Sequence, residues 1–160
     1  MNDPVWLEKA QGYLELGMFD EAWDVIETLP ADKATGADAQ EMRIVILLDR
    51  KHFEDALDLC RGLIRKEPEN HAAFIQGAYA LHSLQRTQEA IDFLQTGPAS
   101  LREEQCYFYN LACYEVALGR TEAALTWLLQ SIELDPRNRT RALADADLKI
   151  LHDKIPRKGK

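Results

Sequence analysis

The sequence predicts an all-α chain, a solenoid of four helix-turn-helix repeats closed by capping helices at its C-terminal end. Three observations carry this reading. Ala22, Ala56, Ala90 and Ala124 are evenly spaced. Their neighbours repeat with them: Trp23, Leu57, Ile91 and Leu125 follow directly, and Ile26, Cys60, Leu94 and Leu128 come four positions later. Pro30, Pro68, Pro98 and Pro136 then close each unit. A constant period of this length, with apolar residues at helical spacing, is the mark of stacked helix pairs.

The expected units run over about residues 4–30, 38–70, 72–98 and 106–138, with a cap at 139–155, in a single domain 1–160. In the first, Asp3-Pro4 offers a cap and a first-turn proline. Trp6, Ala10, Tyr13 and Leu14 recur on one helix, Gly17 breaks it, and Asp20-Glu21 place acid in the first turn of the second. The stretch 31–37 reads as a longer connection. The second unit carries Ile44, Leu47 and Leu48, a turn at Arg50-Lys51-His52 that has no glycine, then Phe53, Ala56, Leu57, Cys60, Leu63 and Ile64. The third carries Phe74, Ala78 and Leu81, a turn near Gln85-Arg86, and Ala90, Ile91 and Leu94. The fourth carries Phe108, Leu111, Ala112 and Leu118, Gly119 at the turn, then Ala124, Leu125, Leu128 and Ile132.

The prolines add a second rhythm. Early stops at Pro30 and Pro98 alternate with later ones at Pro68 and Pro136, each pair two periods apart, as in a duplicated pair of repeats. Beyond Asn138 the pattern weakens. Thr140 to Ala144 reads as a helical turn or more, and Asp147 to Leu151 as a short helix with an Asp cap. A solenoid needs an end piece that covers its last apolar face, and Leu143, Leu148 and Leu151 are the candidates.

On these residues the chain resembles the tetratricopeptide repeat family. The first unit supplies Trp6, Ala10, Tyr13, Ala22 and Ile26 of the family pattern, and the fourth supplies Phe108, Leu111, Ala112, Ala124, Leu128 and Pro136. The second departs from it, with Gln40, Arg43 and Ile44 in place of an aromatic, a leucine and a small residue. Tyr109 to Tyr114 is similar to the opening of a last repeat in bacterial members, and Ala142 to Leu148 to the segment that follows it. The resemblance implies a right-handed superhelix whose first helices line a concave face. Carried over position by position, it implies a partner-binding groove of Leu7, Gln11, Leu14, Val45, Leu48, Ile75, Tyr79, His82, Tyr109, Cys113 and Val116, rimmed by Glu15, Asp38, Glu41 and Asp49. Exposed apolar surface of that extent marks an interaction site, and tyrosine is a frequent anchor. Some of these positions instead fall in the core if the helix phase is shifted. The clamp with which some members hold acidic chaperone tails is missing: its positions hold Leu7, Gln11, Met42, Ala72 and Gln76, without a cation.

The net charge of −8 argues against nucleic acid as partner. The basic end, Arg157-Lys158-Gly159-Lys160, reads as a solvated tail. Met1-Asn2-Asp3-Pro4 has no signal-peptide character, and the apolar run Ile44 to Leu48 is far too short to span a membrane. Cys106 and Cys113 sit about 10 Å apart along a helix, too far to bridge. With Cys60 they read as small buried or groove side chains in a reducing, cytoplasmic setting. His52, His71, His82 and His152 lack metal-ligand spacing, Cys113 lacks an activating base in sequence reach, and a helix cap and its turn account for Asp145 and Asp147. No cofactor, metal or catalysis is called for. The expected function is protein binding in an apolar concave groove with an acidic rim. The alternatives are a self-associating scaffold, including a homodimer, and a chaperone similar to the small acidic tetratricopeptide chaperones of type III secretion.

Overall fold

The structure, a computed structural model, describes residues 3–157, with side chains from Val5 onward. The expected Asp3 cap, and residues 158–160 of the basic tail, lie outside the described side chains. Four antiparallel helix pairs follow one another: α1 (Asp3–Glu15) with α2 (Phe19–Glu27), α4 (Ala37–Asp49) with α5 (Phe53–Lys66), α6 (His71–Ser83) with α7 (Thr87–Gln95), and α8 (Tyr107–Ala117) with α9 (Thr121–Leu134). A one-turn helix α3 (Ala31–Ala34) fills the stretch expected to be a plain connection, and a 3-10 turn (Ala99–Glu103) follows α7. The helix α10 (Arg137–Ala144) and a 3-10 segment (Ala146–Lys154) close the stack.

The alanine column is the hinge line of each pair. Ala22, Ala56, Ala90 and Ala124 are all 0% exposed. A larger side chain there would force the paired helices apart, at a typical cost of about 1–3 kcal/mol. The second helices alternate in length as the prolines predict: α2 and α7 have 9 residues, α5 and α9 have 14. Each short helix is followed by the extra turn that takes up the missing length, α3 after α2 and residues 99–103 after α7.

The turns inside the pairs share one backbone geometry. Gly17, Lys51, Gln85 and Gly119, spaced by the same period as the alanines, have φ of 71, 61, 63 and 73°. Each reverses the chain with its neighbour's N–H returned to the first helix, as in Met18 to Tyr13 O at 2.8 Å and His52 to Leu47 O at 2.8 Å. Only glycine takes this left-handed conformation without steric cost, so Lys51 and Gln85 are strained.

The core is a relay of overlapping clusters. Trp6, Ala10, Val25, Ile26 and Met42 join the first pair to the second. Ile44, Leu47, Cys60, Leu63 and Ala73 continue it, then Leu57, Phe74, Leu81, Leu94, Leu101, Tyr107 and Leu111. Tyr109, Leu128, Ile132, Ala142, Leu148, Leu151 and Ile155 end it. At that end two expectations are corrected. Leu143 is 47% exposed and covers nothing, because it lies on the outer side of α10; Ala142, Leu148, Leu151 and Ile155 do the covering. The last segment is capped by Asp145, whose Oδ1 accepts from the Asp147 N–H at 3.0 Å, and not by Asp147 itself.

The second pair departs from the family pattern for a visible reason. Gln40 Nε2 donates to the carbonyl of Ala34 at 2.8 Å, and Arg43 donates to the same oxygen while pairing with Glu27 at 3.1 Å. The two polar residues hold the extra turn of α3. Arg43 and Arg50 also lie over the Trp23 ring, at 5.9 and 5.2 Å from its centroid.

Candidate groove on the inner helices

Three first helices, α1, α4 and α6, enclose a cavity of about 480 Å³. Leu7, Leu14, Met42 and Val45 form its apolar floor; Gln11 and Gln76 line it, with Glu15, Asp38 and Glu41. All come from first helices, so the cavity belongs to the inner face of the stack. The helical period explains the set, since Leu7, Gln11 and Leu14 on α1 and Asp38, Glu41, Met42 and Val45 on α4 recur at the spacing that keeps residues on one face. The expected residues Leu7, Gln11, Leu14 and Val45 therefore meet, with three of the four expected rim acids. Met42 and Gln76 join them. In the sequence they stand out only as positions where a clamp cation is missing.

Two polar details shape this cavity. Glu41 Oε1 accepts from Asn70 Nδ2 at 2.7 Å, while Asn70 Oδ1 caps α6 by accepting from the Ala73 N–H at 2.9 Å. One rim acid is thereby tied to the start of the third pair. Gln76 Oε1 is buried and has no hydrogen-bond partner among the described residues. A buried acceptor without a donor typically costs about 1–3 kcal/mol, so a donor brought in beside it would be rewarded.

The other expected groove residues behave differently. Leu48 and Ile75 are half-buried against the middle of the core. Tyr79 is 48% exposed, with its ring edge toward Phe53 at 6.4 Å. His82 lies against the Tyr114 ring at 4.9 Å, and its Nδ1 is 3.0 Å from Thr87 Oγ1. Burial lowers the pKa of His82, opposed by the nearby charge of Asp147. Tyr109 is corrected: it is 2% exposed, and the C-terminal segment covers it. Its hydroxyl donates to Asp145 Oδ2 at 2.7 Å, and the Arg141 guanidinium lies 3.9 Å from its ring centroid. Burial and the Asp145 carboxylate raise its pKa strongly. Cys113 and Val116 pack into the same cluster, and burial pushes the Cys113 thiol up to about 12. The groove expected across four pairs is thus open over the first helices and covered at the fourth.

Two histidines expected to be solvated or in the groove are held by bonds. His71 bridges Glu104 Oε1 at 2.7 Å and Ser100 Oγ at 2.8 Å, clasping the start of α6 to the 3-10 turn. His152 Nε2 lies 2.9 Å from the Ala142 carbonyl, inside the cap. Among the described residues no helix is long and apolar enough to cross a membrane.

Residues 107–138, the fourth helix pair, match the family model of the tetratricopeptide repeat. No curated protein matches the chain by sequence. Among solved structures, pilF of Pseudomonas aeruginosa is similar over 94% of this chain and 68% of its own, at a TM-score of 0.76 and 20% identity. MamA from Desulfovibrio magneticus RS-1, residues 41 to the end, is similar over 96% of this chain and 88% of its own, at 0.74 and 14%. A MamA structure labelled MSR-1 reaches 24% identity over 83% of this chain and 76% of its own, at 0.66. At such identities the likeness is one of fold. Residues 107–138 are a tetratricopeptide repeat, and the chain as a whole shares the all-α fold of stacked helix pairs with these solved structures.

Proposed function

We propose that this chain is a non-enzymatic protein-binding module that holds an apolar segment of a partner on the inner face of its first three helix pairs. One observation supports this above the others: the cavity of about 480 Å³ has a floor of Leu7, Leu14, Met42 and Val45 and a rim of Glu15, Asp38 and Glu41. Concave, largely apolar surfaces with a few placed polar groups are where proteins take ligands. The carboxylates favour a segment that carries Lys or Arg beside its apolar residues, since opposite charge speeds encounter and suppresses acidic competitors. A Lys or amide of the segment would also supply the donor that Gln76 Oε1 lacks.

The test compares the wild type with a Leu14→Lys/Val45→Lys variant as bait for interacting proteins. Both side chains are partly exposed in the cavity, so the melting temperature is expected to change little. A partner retained by the wild type and lost by the variant is the expected result, and the bound segment should be apolar and basic. Equal retention by both would move binding off this face.

A further inference from the structure

The two ends of the stack carry opposite charge. Residues 3–29, which contain the first helix pair, hold seven Asp and Glu against one Lys. Residues 137–157, the described part of the cap and tail, hold six Lys and Arg against three Asp, in a chain whose net charge is −8. The charge is therefore segregated along the axis of the solenoid.

Each end also has an unfilled contact surface. One and two periods on from Tyr13 stand Leu47 and Leu81. Those two are 7% and 1% exposed, in core clusters that reach back to the preceding pair at Trp23 and Leu57. Among the described residues no helix pair precedes the first. Tyr13 is only half-buried, and with Lys9, Glu21, Asp24 and Val25 it lines a hollow of about 240 Å³ made entirely by the first pair. Val5 and Leu16 on the same pair are 53% and 75% exposed. At the other end, Arg139, Leu143, Lys154, Ile155 and Arg157 line a hollow of about 710 Å³ to which no residue of the four pairs contributes. Arg139 Nε is buried there with no hydrogen-bond partner among the described residues. Leu143 and Ile150 on the cap are 47% and 60% exposed.

We propose that a second copy of this chain fills the gap: the cationic cap of one molecule docks on the acidic first helix pair of the next. Glu21 and Asp24 are the carboxylates that meet Arg139 and Arg157, around a contact of the half-buried Tyr13 with the exposed Leu143. The contact is heterologous. Each molecule keeps one free front and one free rear, so it propagates as an open chain and does not close as a dimer. It leaves the inner cavity open, so it is independent of the partner-binding reading above and places several grooves in a row.

The test is solution mass by light scattering against protein concentration and salt. The wild type is expected to rise above the monomer mass of 18.2 kDa with concentration at low ionic strength and to fall back to it in high salt. A rear variant, Arg139→Gln/Arg157→Gln, and a front variant, Glu21→Gln/Asp24→Asn, should each stay monomeric. Mixed in equal amounts, they keep one sound rear and one sound front, and should form a species of twice 18.2 kDa that grows no further. If the Arg139 change lowers the melting temperature, Lys154→Gln/Arg157→Gln serves in its place. The groove variant Leu14→Lys/Val45→Lys should assemble as the wild type does, which separates this contact from partner binding. A wild type that is monomeric at every concentration, variants that still assemble, or a mixture that stays monomeric would each overturn the proposal. So would a monomeric wild type that sediments with phosphatidylserine vesicles, which would give the cationic end to a membrane surface instead.

Discussion

Gln40 stands where the other first helices place an aromatic, and Arg43 where the last one places Leu111. As a repeat the second pair therefore looks defective, yet both side chains are fully used. They converge on the Ala34 carbonyl, and Arg43 also pairs with Glu27 and covers Trp23. Replacing Arg43 with Met keeps most of the volume but leaves Glu27 unpaired and one donor fewer on Ala34. The expected loss is about 1–3 kcal/mol of unfolding free energy in urea, while Arg61→Met, on the largely exposed pair with Asp58, should change little. The sequence shows the departure from the pattern; the one-turn helix that needs it becomes visible only in three dimensions. Tyr109 is a similar case. Its spacing puts it on the inner face, as expected, but spacing carries no information about a distant segment, the one that holds Asp145, folding over that face. The pH response of His82 follows from its place against Tyr114. Burial disfavours its charged form, so the folded chain holds the proton less tightly than the unfolded one, and stability falls as pH drops through 6.5. Melting temperatures measured above and below that pH should diverge less in a His82→Gln variant than in the wild type.

At the scale of the elements, the repeat is written in the backbone as firmly as in the side chains. Four turns share a left-handed residue at the same position, and two of them use a residue other than glycine. Left-handed backbone costs an ordinary residue roughly 1–2 kcal/mol, part of which glycine returns through its greater freedom in the unfolded chain. Lys51→Gly should therefore raise stability, by up to about 1 kcal/mol, and Lys51→Val should lower it; thermal melts of the three proteins decide. Helix number, order and type within the four pairs were legible from the period of the alanine column, because each pair repeats the same local solution. The ends of the elements were less so. The turn of α3 has no counterpart in a pattern of four equal units, and the cap of the last segment is Asp145 where the spacing suggested Asp147.

Across the whole molecule, the C-terminal segment decides how much inner surface is free. It withdraws Tyr109, Cys113 and Val116 and leaves the cavity on α1, α4 and α6 open. Ending the chain at Ala144 would remove Leu148, Leu151 and Ile155 from the core, at roughly 1.5–3 kcal/mol for each side chain. The shortened protein should melt earlier. Its Cys113 thiol, held up to about 12 by burial, should react faster with iodoacetamide than in the full chain. The charge difference between the two ends was countable in the sequence all along. Its meaning depends on knowing that residues 3–29 and 137–157 lie at opposite ends of one stack, which the fold supplies.

The alternation of short and long second helices, 9 and 14 residues, gives the stack a grain. In crystallographic language its unit cell holds two helix pairs and not one. A lengthening or shortening by one whole cell preserves the order of short and long steps along the outer wall. A change by half a cell sets two steps of the same kind side by side and either doubles or removes the extra turn between them. The lineage of such a chain, and any redesign of it, should therefore move in whole cells.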